Sequence, residues 1–299
     1  MYDLILTELY RLNRLQSAAE KAQYLQSLQP VVHFLRDSYR RPFVNVDYRA
    51  KKTQAAYMLT YVPQYSQIIC IILNELKHAL ASPFNQEDLT ASFFGSGPLP
   101  ELYGLLQFLR ANFSVIRKVT AYAFDIYADE WTYSRNITKN HLIPSIWRDH
   151  QLELKSKTFD LSQAESVEEY RDIIASSKLI VFQNCLNEVR PSQHSTVLNN
   201  FTSLVNSMSS NSILLITDLS NYRSALKLMQ EIEGMVVREN SLSTLISSIS
   251  DGRSYDARNI VNTMPLVMRK NLLTGNRQNP NGLIPRISIN YRFLAIEKT

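Results

Sequence analysis

The stretch ASFFGSGPLPELYG, residues 91–104, holds an unusual share of the chain's glycines. Only 7 of the 299 residues are glycine, and Gly95, Gly97 and Gly104 all lie here. A chain of ordinary composition would carry roughly three times as many glycines. An apolar run precedes the stretch, and a helical pattern opening with Pro100 and Glu101 follows the first two glycines. A Gly-x-Gly turn between strand and helix lets a ligand approach free backbone N–H groups; a tight turn packed on a sheet is the alternative.

Strand-like and helix-like patterns alternate after this point. Apolar runs typical of strands lie at residues 89–94, 118–124, 150–159, 178–183 and 212–219. Helical spacing separates most of them, as in ELYGLLQFLR. The tail, PRISINYRFLAIEK, has the pattern of one last strand, preceded by a turn at NPNG, residues 279–282. The alternation predicts an α/β fold with a mostly parallel sheet and helices on both faces.

Residues 1–87 carry helical patterns only, punctuated by Pro30, Pro42 and Pro63. The segment SPFNQED, residues 82–88, marks a boundary. We therefore predict an all-helical N-terminal extension over residues 1–87 and a second domain over residues 88–299. Tyr57 and Tyr61 are one helical turn apart; we interpret them as packing within the helical extension, and coverage of a ligand crevice is the alternative.

Two acids end predicted strands beside the glycine turn. Asp125 ends the second strand, 28 residues after Gly97, and Asp160 ends the third. A carboxylate at the tip of the second strand can accept hydrogen bonds from both hydroxyls of a ribose. Because parallel strands end at one edge of the sheet, the glycine turn and both acids are expected to line one crevice. We expect Asp125 to be exposed there.

With these residues in place, the chain resembles the class I S-adenosylmethionine-dependent methyltransferases over residues 88–299. The pieces that carry the resemblance are FGSGPLPELYGLL, FDIYADEW and VFQNCLNEV. It implies a Rossmann-like sheet of seven strands, the last one antiparallel, and S-adenosyl-L-methionine as cofactor. The segment YRAKKTQAAYMLTYVPQYSQIICIIL more loosely resembles ribosomal-RNA methyltransferase-like proteins. The cofactor-binding residues that the resemblance implies are Gly95, Ser96, Gly97, Glu101, Asp125, Ile126, Asp160, Leu161 and Gln183.

The glycine motif departs from the family pattern at two positions. Phe93 stands where the family has an acid that helps hold the methionine end of the cofactor, and Leu99 stands in place of a third glycine. Glu101 is the candidate replacement for the acid, unless it only complements the helix dipole. These departures leave two alternatives open: a non-catalytic interaction protein on a degenerate methyltransferase fold, and an NAD-dependent oxidoreductase, which would usually keep the third glycine.

The fourth predicted strand ends in a polar cluster. In the family this strand tip faces the transferred methyl group, so Gln183, Asn184, Asn187 and Glu188 are candidates for substrate contact, with Asn184 and Glu188 taken as catalytic. Helix capping by either asparagine is the alternative. Cys185 is better explained as a small buried side chain than as a nucleophile.

Composition limits the remaining possibilities. The net charge of +5 permits an RNA partner without requiring one. The segment YRRPFVNVDYRAKK interleaves aromatic and basic residues, which suits RNA phosphates and bases, although we favour a solvated linker between helices as the explanation. Its cations are Arg40, Arg41, Arg49, Lys51 and Lys52. The two cysteines and five histidines show no metal-binding spacing. We expect no metal, no membrane partner and a cytoplasmic location; the methyl acceptor is either RNA, which the charge favours, or a small molecule.

Overall fold

A computed structural model describes residues 1–42, 44–238, 240–278 and 283–299. It contains one sheet of eight strands. The strands are β1 (Asp88–Phe94), β2 (Lys118–Asp125), β3 (Gln151–Thr158), β4 (Leu179–Gln183), β5 (Ser212–Leu219), β6 (Leu242–Ser247), β7 (Arg253–Asp256) and β8 (Ser288–Lys298). The predicted turn at residues 279–282 and Phe43 of the basic segment lie outside the described residues.

The sheet confirms the predicted α/β class and corrects the number of strands. Its order is β3-β2-β1-β4-β5-β8-β6, and β1 to β5 run parallel. β8 is antiparallel to β5, as predicted for the last strand. Seven strands were expected and eight are present, because two short strands share the edge beside β8. β6 pairs with residues 294–298 of β8, and β7 pairs with residues 288–291. Both are short and only partly buried, so neither produces a clear apolar run in the sequence.

Thirteen α-helices are present in the described ranges. Six precede the sheet: α1 (Tyr2–Leu12), α2 (Ala18–Ser27), α3 (Gln29–Ser38), α4 (Lys51–Thr60), α5 (Val62–Glu75) and α6 (Lys77–Leu80). Seven follow β1: α7 (Pro100–Asn112), α8 (Thr132–Ile137), α9 (Arg171–Ser176), α10 (His194–Ser207), α11 (Arg223–Val236), α12 (Arg258–Asn262) and α13 (Leu266–Asn271). The change from helices to alternating elements falls at residue 88. The division into an extension and a domain remains a prediction.

The central strands form the core. Every residue of β4 and β5 is buried, as expected for parallel strands covered on both faces. Near the carboxyl end of the sheet, the ring of Phe94 stacks between those of Phe124 and Phe182, with 4.5 Å between centroids on each side. These three rings lie on three adjacent strands, so they form a rigid floor beneath the loops that follow β1, β2 and β4.

The N-terminal helices pack directly against the helices and strands that follow residue 88. α5 lies on α7, and Gly104 is at their crossing: a Cβ added there would come within 2.4 Å of the carbonyl oxygen of Ser66. Gly104 therefore serves helix packing rather than ligand approach. In the described residues no single helix meets the length and hydropathy needed to cross a bilayer, although α4 and α5, bent by 51°, meet them as a pair.

Candidate functional site

A cavity of about 460 Å³ lies at the carboxyl ends of β1, β2 and β4. Small-molecule sites commonly have volumes of roughly 300–1,000 Å³. The cavity brings together every residue that the sequence singled out for cofactor binding or catalysis: Gly95, Ser96, Gly97, Glu101, Asp125, Ile126, Asp160, Leu161, Gln183, Asn184 and Glu188. Their common location is a structural finding, whereas their roles remain predictions.

The two glycines of the turn are required by the conformation and packing of the protein. Gly95 has φ of 62°, and a Cβ there would lie 2.5 Å from the Cβ of Cys185. Gly97 has φ of 38°, and its Cβ would lie 3.1 Å from the indole ring of Trp131. Both residues also line the cavity. The turn is thus tightly packed and open to a ligand at the same time, so both sequence-based explanations describe part of it.

Leu99 has a backbone conformation that glycine adopts more readily than other residues do. Its φ is 69° and its ψ is 44°, which places it in the left-handed region. A non-glycine residue there costs about 1–2 kcal/mol. The side chain is fully buried in the core, which offsets this cost. The loop therefore takes a left-handed turn at a leucine.

Asp125 holds the glycine turn in place. Its carboxylate accepts hydrogen bonds from the backbone N–H of Gly97 at 3.0 Å and from that of Tyr127 at 2.9 Å. Asp125 is only 7% exposed, so the expectation of an exposed acid was wrong: the loops on either side cover it. Because an ionised carboxylate can accept about four hydrogen bonds, Asp125 retains capacity for a ligand in the cavity.

Asp160 is fixed by its own loop. One carboxylate oxygen accepts from both the backbone N–H of Ser162, at 2.8 Å, and its hydroxyl, at 2.7 Å. The other oxygen accepts from the side-chain amide of Gln163 at 3.2 Å. The carboxylate is therefore oriented at the cavity wall before any ligand arrives.

Arg135 was not identified from the sequence, although it is the main support of the glycine turn. Its buried guanidinium donates to the carbonyl oxygen of Gly97 at 2.8 Å and to the hydroxyl of Ser96 at 3.2 Å. It also donates to the carbonyl of Ala128 and the hydroxyl of Ser156, which ties the turn to the loop after β2 and to β3. Burial lowers the pKa of Arg135. A lone arginine in the run WTYSRN carries no sequence signal for this role.

Glu101 presents an unsatisfied carboxyl to the cavity. The residue is 2% exposed, and its Oε2 has no hydrogen-bond partner among the described residues. Burial, followed by the neighbouring charge of Asp125, raises its pKa well above the usual value. A buried carboxyl of this kind stays protonated unless a cation or hydrogen-bond donor joins it. Glu101 is therefore suited to bind a positively charged group of a ligand.

Three aromatic side chains form one wall of the cavity, and two of them come from the N-terminal segment. Tyr48 and Tyr57 line the cavity together with Trp131; the ring of Tyr48 lies 5.2 Å from that of Trp131 and 5.8 Å from that of Tyr57. The backbone N–H of Val44 donates to the carbonyl of Asn187, which attaches this segment to the loop after β4. Tyr57 therefore covers the crevice, the less favoured alternative from the sequence, whereas Tyr61 does not line this cavity.

The polar cluster after β4 divides into two groups. Asn184 and Glu188 line the cavity, whereas Asn187 is buried away from it, with its side-chain amide donating to Asp218 at 2.9 Å. The candidate substrate contact at Asn187 is thus wrong, because that side chain binds Asp218 and so anchors the loop after β4. Gln183 donates to the carbonyl of Tyr65 and leaves its Oε1 without a partner in the described part of the chain. Burial raises the pKa of Cys185, which disfavours a reactive thiolate.

Glu188 is an acid beside the aromatic wall with a raised pKa. The hydroxyl of Tyr48 donates to it at 3.3 Å. Burial first, and then the charge of Asp125, raises the pKa of Glu188 to about 8. A carboxyl with a pKa near 8 is partly ionised near neutral pH, so it can accept or release a proton there.

We expect Glu188→Gln to remove a pH-dependent loss of stability. The folded protein retains a proton on Glu188 that the unfolded chain releases above its pKa of about 4.5, so stability falls as pH rises from there to about 8. Glutamine does not titrate in this pH range. The melting temperature of the variant should exceed that of the wild type by several degrees at pH 8.5, and the difference should shrink toward pH 5. Thermal melts across this range provide the measurement. Glu87→Gln, at an exposed carboxyl, is the control, and equal profiles for both variants would contradict the expectation.

The five cations proposed for an RNA partner are all exposed. Arg49 forms a paired contact with Asp47 at 2.8 Å, and Arg40 lies 3.3 Å from Asp37. Among the residues that the structure describes, no group of three His, Cys, Asp or Glu side chains is placed to hold a metal ion.

No protein-family profile matches the sequence, and no curated protein matches it either. Solved structures of similar fold are methyltransferases. An O-methyltransferase family protein from Burkholderia thailandensis is 13% identical, with 94% of this chain and 71% of that chain covered and a TM-score of 0.47. A proposed rRNA methylase from Clostridium thermocellum is 11% identical, with 76% and 97% covered and a TM-score of 0.41. A TehB-like SAM-dependent methyltransferase from Corynebacterium glutamicum is 9% identical, with 79% and 100% covered and a TM-score of 0.35. All three proteins have low sequence identity to this chain. The first two names give different methyl acceptors, an oxygen atom and rRNA, and the third name gives none.

Proposed function

We propose that this chain is an S-adenosylmethionine-dependent methyltransferase. The observation that carries the proposal is the cavity at the carboxyl ends of β1, β2 and β4. There Asp125, bonded to the glycine turn, and the unsatisfied carboxyl of Glu101 face the same space. A ribose diol and an ammonium group are the ligand chemistries that these two carboxyls fit. Ser96, Ile126, Asp160 and Leu161 complete the wall on the side of Asp125.

The cofactor would supply an electrophilic methyl group on a sulfonium. This chain's residues would place the acceptor in line with it, and placement of two reactants in the right geometry can supply much of the rate. The wall of Tyr48, Tyr57 and Trp131 suits a flat or cationic acceptor, because aromatic faces bind both. Glu188 and Asn184 lie at the same end, where Glu188 would take up a proton released by the acceptor.

The acceptor is proposed to be RNA ahead of a small molecule. The same segment supplies Tyr48 and Tyr57 of the wall and the exposed cations Arg49, Lys51 and Lys52. An RNA base on the wall would therefore leave its phosphates near positive charge. We further propose a cytoplasmic location, on the grounds of composition alone.

A second candidate function is an interaction protein without cofactor binding. Phe93, in place of the family's acid, is completely buried within β1, so that position contributes nothing polar to the cavity. The two functions differ in whether S-adenosylhomocysteine binds.

We expect S-adenosylhomocysteine to raise the melting temperature by several degrees at a concentration one hundred times its dissociation constant. A ligand that binds only the folded state stabilises it by about 2.7 kcal/mol under that condition. Thermal melts with calorimetric titration provide the measurement, and NAD at the same concentration should cause no shift. Absence of any shift with millimolar S-adenosylhomocysteine would favour the interaction protein, and a shift with NAD alone would favour an oxidoreductase.

A further inference from the structure

A second cavity, of about 270 Å³, adjoins the first at Tyr39, which lines both. Three arginines line the second cavity: Arg36 from α3, Arg40 just after α3, and Arg286 just before β8. Arg36 and Arg286 are 250 positions apart in the sequence, so folding brings their charges together. Among its described lining residues there is no carboxylate.

The surroundings fix two of the guanidinium groups in position. Arg36 donates to the backbone carbonyl of Ile284 at 2.8 Å. The guanidinium of Arg286 lies over the ring of Tyr61, 5.8 Å from its centroid. Both residues are partly buried. A guanidinium that is already held in place loses little further entropy when it binds an anion.

Three like charges converge in the second cavity. Burial lowers the pKa of Arg36, and the nearby guanidiniums of Arg286 and Arg40 lower it further. Arg40 contacts Asp37 at 3.3 Å, but both side chains are largely exposed, at 72% and 63%. Exposed pairs of this kind contribute at most about 1 kcal/mol. An anion in the cavity would relieve the repulsion that Asp37 leaves in place.

We propose that this second cavity is a binding site for a phosphate group. Guanidinium groups match the oxygen geometry of phosphates and carboxylates. A phosphate monoester carries about two negative charges near neutral pH, which suits three arginines better than the single charge of a carboxylate. The side-chain amide of Asn221 also lines the cavity and is a further donor. A ligand anchored here would adjoin the proposed methyl-transfer cavity at Tyr39.

The test is binding of inorganic phosphate, followed by calorimetry, to the full chain and to three variants. Arg286→Gln and Arg40→Gln should each weaken phosphate binding at least tenfold, since each removes a charge-assisted contact. Arg41→Gln is the matched control, because Arg41 is an exposed neighbour that does not line the cavity; it should bind like the wild type. Sulfate should compete with phosphate, and acetate should compete much more weakly.

Two further measurements decide the outcome. The affinity for S-adenosylhomocysteine should be the same in all three variants as in the wild type, which would show that the variants are folded. If neither the wild type nor any variant binds S-adenosylhomocysteine, the proposed function fails, but the phosphate result still stands. Ribose 5-phosphate and a ten-nucleotide RNA without terminal phosphate should then be tested as competitors, to distinguish a small phosphorylated ligand from a phosphodiester backbone. Equal phosphate affinity in Arg40→Gln, Arg286→Gln and the wild type would overturn the proposal, as would competition by neither ribose 5-phosphate nor RNA.

Discussion

Gly104→Ala should lower the free energy of unfolding by about 3 kcal/mol, the upper part of the range for overpacked interiors. The added Cβ would stand 2.4 Å from the carbonyl oxygen of Ser66 and 3.0 Å from the Cβ of Ile69. Both belong to α5, and a backbone oxygen in a helix cannot turn aside. The two helices must therefore separate, which exposes a densely packed contact. Urea unfolding of the wild type and the variant measures the difference.

Gly234→Ala is the matched control for this substitution. It is also a glycine within a helix, α11, but a Cβ at that position meets nothing within 4 Å. Alanine should stabilise the protein there by about 0.5–1 kcal/mol, because glycine loses more conformational freedom on folding. The two variants should thus shift stability in opposite directions. If both stabilise the protein, the close crossing of α5 and α7 is wrong.

Gly104→Ala should also affect the proposed cofactor site. α5 carries Tyr65, whose carbonyl accepts the hydrogen bond from Gln183 at the end of β4. When α5 moves outward, this anchor is lost, and the cavity floor loosens with it. S-adenosylhomocysteine should therefore bind more weakly to Gly104→Ala than to Gly234→Ala.

The glycine cluster shows what local sequence can and cannot predict. Because glycine is rare elsewhere in the chain, the cluster correctly indicated a place where a side chain is not tolerated. Local sequence could not separate the causes, because each depends on a distant partner: Cys185 for Gly95, Trp131 for Gly97, and Ser66 for Gly104. One signal, three glycines in 10 residues, therefore had three physical origins.

Strand tips were predictable for a simple reason. Apolar runs that end in a polar residue identify where a buried strand leaves the sheet, and parallel strands bring those ends together. That reasoning placed Asp125 and Asp160 at one edge, where the structure has them.

Residues that support or line the cavity from other elements were harder to predict. Arg135 of α8 holds the glycine turn through hydrogen bonds to Gly97 and Ser96. Tyr48, from the segment before α4, lines the cavity. Neither Arg135 nor Tyr48 belongs to a hydrophobic pattern in the sequence that would indicate its position, and the contacts of both form only when the chain has folded. β6 and β7 escaped prediction for a related reason: they are short edge strands, stabilised by pairing with β8 rather than by a buried apolar run.

Asp125→Ala should weaken S-adenosylhomocysteine binding about a hundredfold or more. Hydrogen bonds to a charged acceptor contribute about 1.5–3 kcal/mol, and each 1.4 kcal/mol is a factor of ten in affinity. The substitution would remove the proposed partner of the ribose hydroxyls. It would also free the glycine turn, because the backbone N–H groups of Gly97 and Tyr127 would lose their acceptor. Calorimetric titration measures the affinity.

Stability should fall in the same variant, by about 2 kcal/mol, since an unpaired buried N–H costs roughly 1–3 kcal/mol. Asp125→Asn should give an intermediate result: its single amide oxygen can accept from Gly97 or Tyr127 but its NH₂ group cannot. Asp129→Ala is the control, because Asp129 is exposed and its side chain does not line the cavity. It should leave both affinity and stability near the wild-type values.

Loss of the turn and loss of the ribose contact can be separated with two simpler ligands. Adenosine carries the diol, and 2′,3′-dideoxyadenosine lacks it, while their adenine rings are identical. The wild type should prefer adenosine at least tenfold, because the diol reaches the remaining acceptor capacity of Asp125. Asp125→Ala should bind both ligands equally, since the partner of the diol is gone even where the turn stays folded. A preference that survives in Asp125→Ala would mean that Asp125 acts only by holding Gly97, and that another residue of the cavity binds the ribose.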